Sequence, residues 1–450
     1  MNMRKNEILE TEIEKLAGEH GLTHADGMAV FVRGALPGER VRARVEKTER
    51  NCAFAKTLGI LTASPERRTP VCPSYEKCGG CQLQHMSYEL QLRMKREHVR
   101  DVQRRIGGMD IPVPGVIGMA DPWHYRNKIA LPVGGTADEP MIGYFQPRSH
   151  RIIPVEACPV VMTPGEKVIP AVKQWIREKH VPPYNEADGT GLIRHIVVRV
   201  SRKGGVMAVL VAAGEIPGED RLVGILREQV PGIRSVCLNL NRRRDNVILG
   251  RETRLLYGEE ALEDELCGLK FRISPVSFFQ VNPAQAEALY YTALEFASLA
   301  GGERVCDLYC GAGTISLLLA RHAAQVVGIE EVAPAVEDAK RNAEYNGITN
   351  ASFVAGKAEE ILPRMAADGF RADCIVLDPP RKGCERSVLE AIARTGAGKV
   401  VYVACDPATQ ARDIRILADL GYRPVKTQSM DMFCHTKHVE TVVKLTRAGL

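Results

Sequence analysis

From Arg304 onward the chain alternates short apolar runs with helical segments, and a glycine pair follows the first run: Arg304-Val-Cys-Asp-Leu, then Tyr309-Cys-Gly311-Ala-Gly313-Thr314. Strands separated by helices pair in parallel, so this part of the chain is committed to a doubly wound α/β sheet. Glycines at the turn let backbone N–H groups approach a ligand closely, and a helix starts at once from Ile315. The next predicted strand, Gln325-Val-Val-Gly-Ile, ends in Glu330, where a carboxylate can accept hydrogen bonds from both ribose hydroxyls of a nucleoside. A dinucleotide fold ordinarily carries Gly-x-Gly-x-x-Gly, whereas only Gly311 and Gly313 are present here.

Two further strand ends carry chemistry. Ala372-Asp-Cys-Ile-Val-Leu runs into Asp378-Pro-Pro-Arg381, whose carboxylate and rigid prolines suit the edge of a base. Lys399-Val-Val-Tyr-Val-Ala runs into Cys405-Asp406-Pro407. The proline turns the chain sharply at the pocket mouth, and the N-terminus of the helix that follows favours a thiolate at Cys405. Near the end of the chain, His435-Thr-Lys-His438-Val-Glu440 enters a last strand and supplies a carboxylate.

With 450 residues, 45% hydrophobic and 26% charged, the chain has room for several globular domains. No apolar run approaches the roughly 20 residues of a membrane span, and the first residues lack a signal-peptide core. A cytoplasmic protein that avoids membranes is expected. Thirteen cysteines in such a chain point to metal binding and catalysis before disulfides. A net charge of +5 permits an anionic partner without demanding one.

Residues 6 to about 62 alternate apolar and polar positions around the turn Leu36-Pro-Gly-Glu39, as in a small β-barrel, with Arg33, Arg40, Arg42 and Arg44 able to face RNA. A Pro-rich hinge follows. Cys72, Cys78 and Cys81 then lie close together among glycines and polar residues, and Cys158 lies far downstream. Four thiolates suit one metal centre, either Zn²⁺ or an iron-sulfur cluster; spacing alone does not choose. A basic helix is predicted over about 89–105, with Val99, Val102 and Ile106 on its apolar face. Residues 110 to about 265 read as a mixed, β-rich region.

Taken together, these segments resemble the RNA uracil-5-methyltransferases that use S-adenosylmethionine. The likeness spans almost the whole chain and includes Ser277-Phe-Phe-Gln280-Val-Asn282 ahead of the glycine loop. It implies three units. Residues 1–62 would be an OB-like TRAM barrel that binds RNA, and 63–265 a central domain with cluster cysteines and an RNA surface, its helix packing on the catalytic domain. Residues 266–450 would be a Rossmann-like methyltransferase domain. The resemblance makes Cys72, Cys78, Cys81 and Cys158 ligands of a [4Fe-4S] cluster. Gln280, Tyr309, Gly311, Thr314, Glu330 and Asp378 would contact the cofactor or the target base. Cys405 would be the nucleophile and Glu440 the general base.

The implied chemistry explains the pair. A thiolate adds to C6 of uracil so that C5 becomes nucleophilic, and after methylation a base must remove the C5 proton before the thiolate leaves. The uridine must be flipped out to be reached. The barrel and cluster cysteines favour 23S rRNA as substrate, with tRNA, or a non-catalytic RNA-binding or assembly role, as alternatives. A monomer is expected. Three residues depart from the family pattern: Asp406 stands for the commoner Asn, Cys434 for a usual Pro, and Lys357 near where an acidic residue often meets the adenine.

Overall fold

The computed structural model describes residues 3–447. Its N-terminal sheet contains β1 (Ile8–Glu12), β2 (Lys15–Ala17), β3 (His20–Ala25), β4 (Met28–Arg33), β5 (Arg40–Thr48) and β6 (Cys52–Thr62), in the order β1-β5-β6-β4-β3-β2. Every second residue of β4 and the first part of β5 is buried, so Val30, Val32, Val41, Ala43 and Val45 share one apolar interior. The sheet curls back on itself: the Thr11 and Thr23 hydroxyls of β1 and β3 hydrogen-bond at 2.8 Å.

Ser87 caps α1 (Tyr88–Arg105), its hydroxyl accepting the Leu90 N–H at 3.1 Å. The helix carries an arginine-rich outer face, as expected, but Ile106 lies one residue past its end and is 39% exposed. Leu90 and Met94 pack with Leu36, Leu83 and Met86, joining α1 to the barrel. Its other contacts reach the far end of the chain: Gln103 donates to the Thr427 hydroxyl at 3.0 Å, and Lys95 forms a fully buried salt bridge with Asp431.

The central region is a seven-stranded sheet, β7 (Lys128–Gly135), β8 (Pro140–Phe145), β9 (Ile152–Pro154), β10 (Ile193–Val200), β11 (Val206–Ala212), β12 (Ile233–Leu240) and β13 (Glu252–Gly258), ordered β13-β12-β11-β10-β7-β8-β9. Helices α2 (Val168–Glu178) and α3 (Glu219–Gln229) cover one face, burying Trp175, Ile225 and Leu226 against Ile196, Leu210 and Leu238. The expected boundary at 265/266 falls inside a hairpin, β14 (Leu262–Leu266) and β15 (Leu269–Ile273). Leu266, Phe271 and Ile273 pack with Leu289 and Phe296 of α4 (Pro283–Ala297), in the core of the last region.

That region is the expected doubly wound α/β sheet. Along the chain it runs β16 (Arg304–Leu308), α5 (Thr314–Ala320), β17 (Gln325–Glu330), α6 (Ala333–Tyr345), β18 (Ala351–Ala355), α7 (Ala358–Ala367), β19 (Cys374–Leu377), α8 (Arg386–Thr395), β20 (Lys399–Ala404), α9 (Pro407–Asp419), β21 (Tyr422–Met430) and β22 (Glu440–Arg447). The strand order is β18-β17-β16-β19-β20-β22-β21. Strands β16 to β20 are parallel, and β22 is antiparallel to both neighbours. The order reverses between β16 and β19, which opens a crevice at the carboxyl ends of these strands. Among the described residues no helix is long and apolar enough to cross a membrane.

Candidate active site

Five strand ends deliver the predicted residues to that crevice. Tyr309 and the glycine loop follow β16, Glu330 ends β17, Asp378 follows β19 and Cys405 follows β20. Glu440 joins them only because β22 runs the other way: Thr441 pairs with Ala404, so the first residue of β22 sits beside the residue after β20. Residues 35 apart in sequence thus become neighbours through strand register.

The loop after β16 is shaped for a ligand. Gly313, at φ +81°, begins α5 where a Cβ would press on Ala339 and Phe353 at 3.1 and 3.2 Å, whereas a Cβ on Gly311 would meet nothing within 4 Å. Gly313 is therefore needed for packing and Gly311 borders open space. Glu330 accepts the Gly311 N–H at 3.0 Å and the Val332 N–H at 2.8 Å, which fixes its carboxylate against the loop. Tyr309 adopts φ +62° and donates its hydroxyl to Glu359 at 3.2 Å. Thr314 hydrogen-bonds the Tyr290 hydroxyl at 3.0 Å. Gln280 is buried just before α4, its carbonyl accepting from Asn127 at 3.1 Å.

Burial dominates the electrostatics. Glu440 is 4% exposed, and burial, followed by the charge of Asp378, raises its pKa to about 8. Burial alone raises Asp378 to about 6, and chiefly burial raises Asp307 to about 7 although Ser316 donates to it at 2.5 Å. Cys405 is pushed up to about 11 by burial, then by Glu440 and Asp378. The helix N-terminus expected to favour a thiolate does not offset these raising effects. The local cause is visible: Asp406 caps α9 and takes the Ala408 and Thr409 N–H groups at 2.8 and 3.2 Å, so those donors do not serve the thiol. The cation acting against these shifts is Arg381, which lowers both Cys405 and Glu440. Sequence reasoning gave Arg381 no electrostatic role; its place directly after Asp378-Pro-Pro was the available signal. Arg412 fixes that loop by donating to the Lys382 carbonyl at 2.9 Å.

Lys357 lies outside this cluster, exposed at the start of α7 with Glu360 at 4.0 Å. Cys434 is buried, close to the Tyr88 hydroxyl at 3.5 Å.

The four upstream cysteines share one neighbourhood. Cys81 is raised to about 12 by burial, with Cys158, Cys78 and Cys72 adding to the shift, so all four thiols lie within electrostatic reach. Gly80 donates its N–H to the Cys78 sulfur at 3.3 Å. Among the described residues no group of three or more His, Cys, Asp or Glu is spaced to hold a metal ion.

Comparison with known proteins agrees with this layout. The family model for tRNA (uracil-5-)-methyltransferases matches residues 245–448, and the TRAM domain model matches 5–58. An uncharacterized RNA methyltransferase of Clostridium tetani is 45% identical, over 95% of this chain and 94% of its own. One from Halalkalibacterium halodurans is 45% identical over 98% of each. Among solved structures, the Pyrococcus abyssi tRNA (uracil-54, C5)-methyltransferase in complex with S-adenosyl-L-homocysteine superposes with a TM-score of 0.79 at 28% identity, covering 97% of this chain and 100% of that one. A chain alike over nearly its whole length to RNA methyltransferases, with the uracil-5 model matching its last sheet and TRAM its first, belongs to the RNA methyltransferases.

Proposed function

We propose that the chain methylates C5 of a specific uridine in RNA, 23S rRNA first, with Cys405 as nucleophile and Glu440 as general base. The register of β22 on β20, which sets a buried carboxylate beside a strand-end cysteine, carries this reading. Cys405, its proton passed to solvent, adds as the thiolate to C6 of the flipped uracil, and C5 then takes the methyl group as the sulfonium's S–CH3 bond breaks to leave a neutral thioether. Glu440, whose raised pKa suits proton exchange near neutrality, takes the C5 proton before Cys405 departs. S-adenosylmethionine supplies the methyl group as a sulfonium cation, and Asp307, Asp378 and Glu440, each costly to ionise in isolation, are stabilised as carboxylates beside such a charge. Gln280, Tyr309, Gly311, Thr314, Glu330 and Asp378 hold it and the base.

We further infer that residues 1–62 and 63–265 serve RNA capture and 266–450 the chemistry, in a monomer of the cytoplasm. Cys72, Cys78, Cys81 and Cys158 would hold a [4Fe-4S] cluster, a reading supported by their electrostatic proximity. The Gly80 N–H on Cys78 is the kind of donor that would steady cluster sulfur. Protein purified without oxygen is expected to be brown with iron and sulfide; stoichiometric zinc would overturn the cluster.

A tRNA target is the second reading, favoured by the Pyrococcus abyssi neighbour, which acts on tRNA uracil-54. The deciding experiment is methyl transfer to unmodified 23S rRNA and tRNA with mass mapping of the product. Cys405→Ala is expected to abolish 5-methyluridine formation; wild-type rates from it would refute the covalent step.

A further inference from the structure

The central region contains a cleft that the catalytic crevice does not use, of about 1080 Å³, walled by the cysteine loop, the β7–β9 end of the sheet and the segment before β10. Its floor is unusual. Successive residues of a strand ordinarily face opposite sides, yet Arg194 and His195 both line this one cleft. A break in register between Ile193 and His195 accounts for it, since an extra residue re-aims the side chains around it. Both are more than nine-tenths buried, Arg194 at 5% and His195 at 8% exposed. Even so, His195 Nδ1 and Arg194 Nε have no hydrogen-bond partner. Such atoms are uncommon in a folded interior and single out this part of the cleft wall.

The rest of the cleft defines a ligand. The Arg194 guanidinium is held 4.4 Å over the Tyr184 ring, with its NH1 donating to the Asn241 and Arg243 carbonyls, so its plane is fixed. A fixed planar cation, an imidazole and a tyrosine form a surface for a planar heterocycle with hydrogen-bonding edges. Lys77 and Arg151 at the rim add positive charge suited to a phosphate, while Glu186, which also lines the cleft, is engaged by His150. We propose that this cleft binds one unpaired nucleotide of the RNA substrate, separate from the uridine that reaches Cys405. It rests on the proposed methylation only for the identity of the polymer.

The test is photo-cross-linking of the full chain to 4-thiouridine-substituted 23S rRNA and tRNA transcripts, followed by peptide mapping. A cross-link in the segment from Tyr184 to His195 is expected, together with a rise of about tenfold in KM for RNA in Tyr184→Leu at near-constant kcat. Tyr184→Phe, which keeps the ring, should retain the wild-type KM and so excludes simple misfolding. Cross-links confined to the barrel and the catalytic edge, or an unchanged KM in Tyr184→Leu, would overturn the proposal. Binding of free uridine 5′-monophosphate in the cleft without any RNA cross-link there would also overturn it. In Cys405→Ala the cross-link should persist, so failure of the catalytic assignment is distinguishable from failure of this one.

Discussion

Glu440 and Cys405, the proposed base and nucleophile, are both held protonated by their surroundings. For Glu440 the folded pKa of about 8 lies above the ordinary carboxyl value of 4.5. Its contribution to stability is therefore complete below pH 4.5 and is lost as pH rises through 8. Glu440→Gln escapes that loss, and we expect its unfolding free energy to exceed that of the wild type increasingly from pH 5 to 8.5, by on the order of 1–4 kcal/mol. A constant gap would show that Glu440 ionises freely. The same variant should leave RNA attached to Cys405 through denaturing electrophoresis, because addition proceeds and proton removal does not; no retained adduct would count against its role as base. At this scale, residue types and strand-end positions were readable in sequence, since β-run followed by Cys-Asp-Pro or Asp-Pro-Pro puts a side chain at a pocket edge. The protonation state was not, because it depends on burial and on carboxyls from three strands.

Helix α1 is the element whose role sequence understated. Its basic periodicity announced a helix and a packing face, but Lys95 sits on that face and is fully buried with Asp431. Tyr88 also donates to Asp431 at 2.8 Å, and Lys95 donates to the Phe433 carbonyl at 3.2 Å. These bonds fix the segment between Met430 and Glu440 from outside the catalytic sheet, over more than 330 residues of sequence. A pattern reading treats lysine as an outward residue, so such a pair is invisible until the partner is known. Lys95→Met should strand the Asp431 charge and cost about 3–5 kcal/mol, read as a lower unfolding midpoint. Lys95→Met combined with Asp431→Asn should recover most of it; a single variant as stable as wild type would remove α1 as the brace.

Across the whole molecule, the N-terminal barrel does more than add an RNA-binding surface. Leu36 is fully buried against Leu83, Met86 and Leu90, and Glu19 pairs with Lys437 at 3.2 Å, three residues before Glu440. A chain cut to residues 63–450 would expose that apolar seam. It should unfold several degrees lower and aggregate, where a freely tethered barrel would leave the unfolding midpoint unchanged and weaken only RNA affinity. The three regions could be told apart in sequence by their periodicities. Their mutual packing could not, because single leucines and methionines carry no label for the surface they meet.

Strand β22 is made after both strands it separates. A growing chain that has not reached residue 440 therefore possesses the thiol of Cys405 but has no strand to fill the gap between β20 and β21. Without that strand the sheet cannot close around the crevice. If Cys405 and Glu440 act as proposed, the carboxylate that releases the product arrives in the same step that completes the sheet, so a chain able to bond to uracil but not to let it go has no closed crevice to do it in.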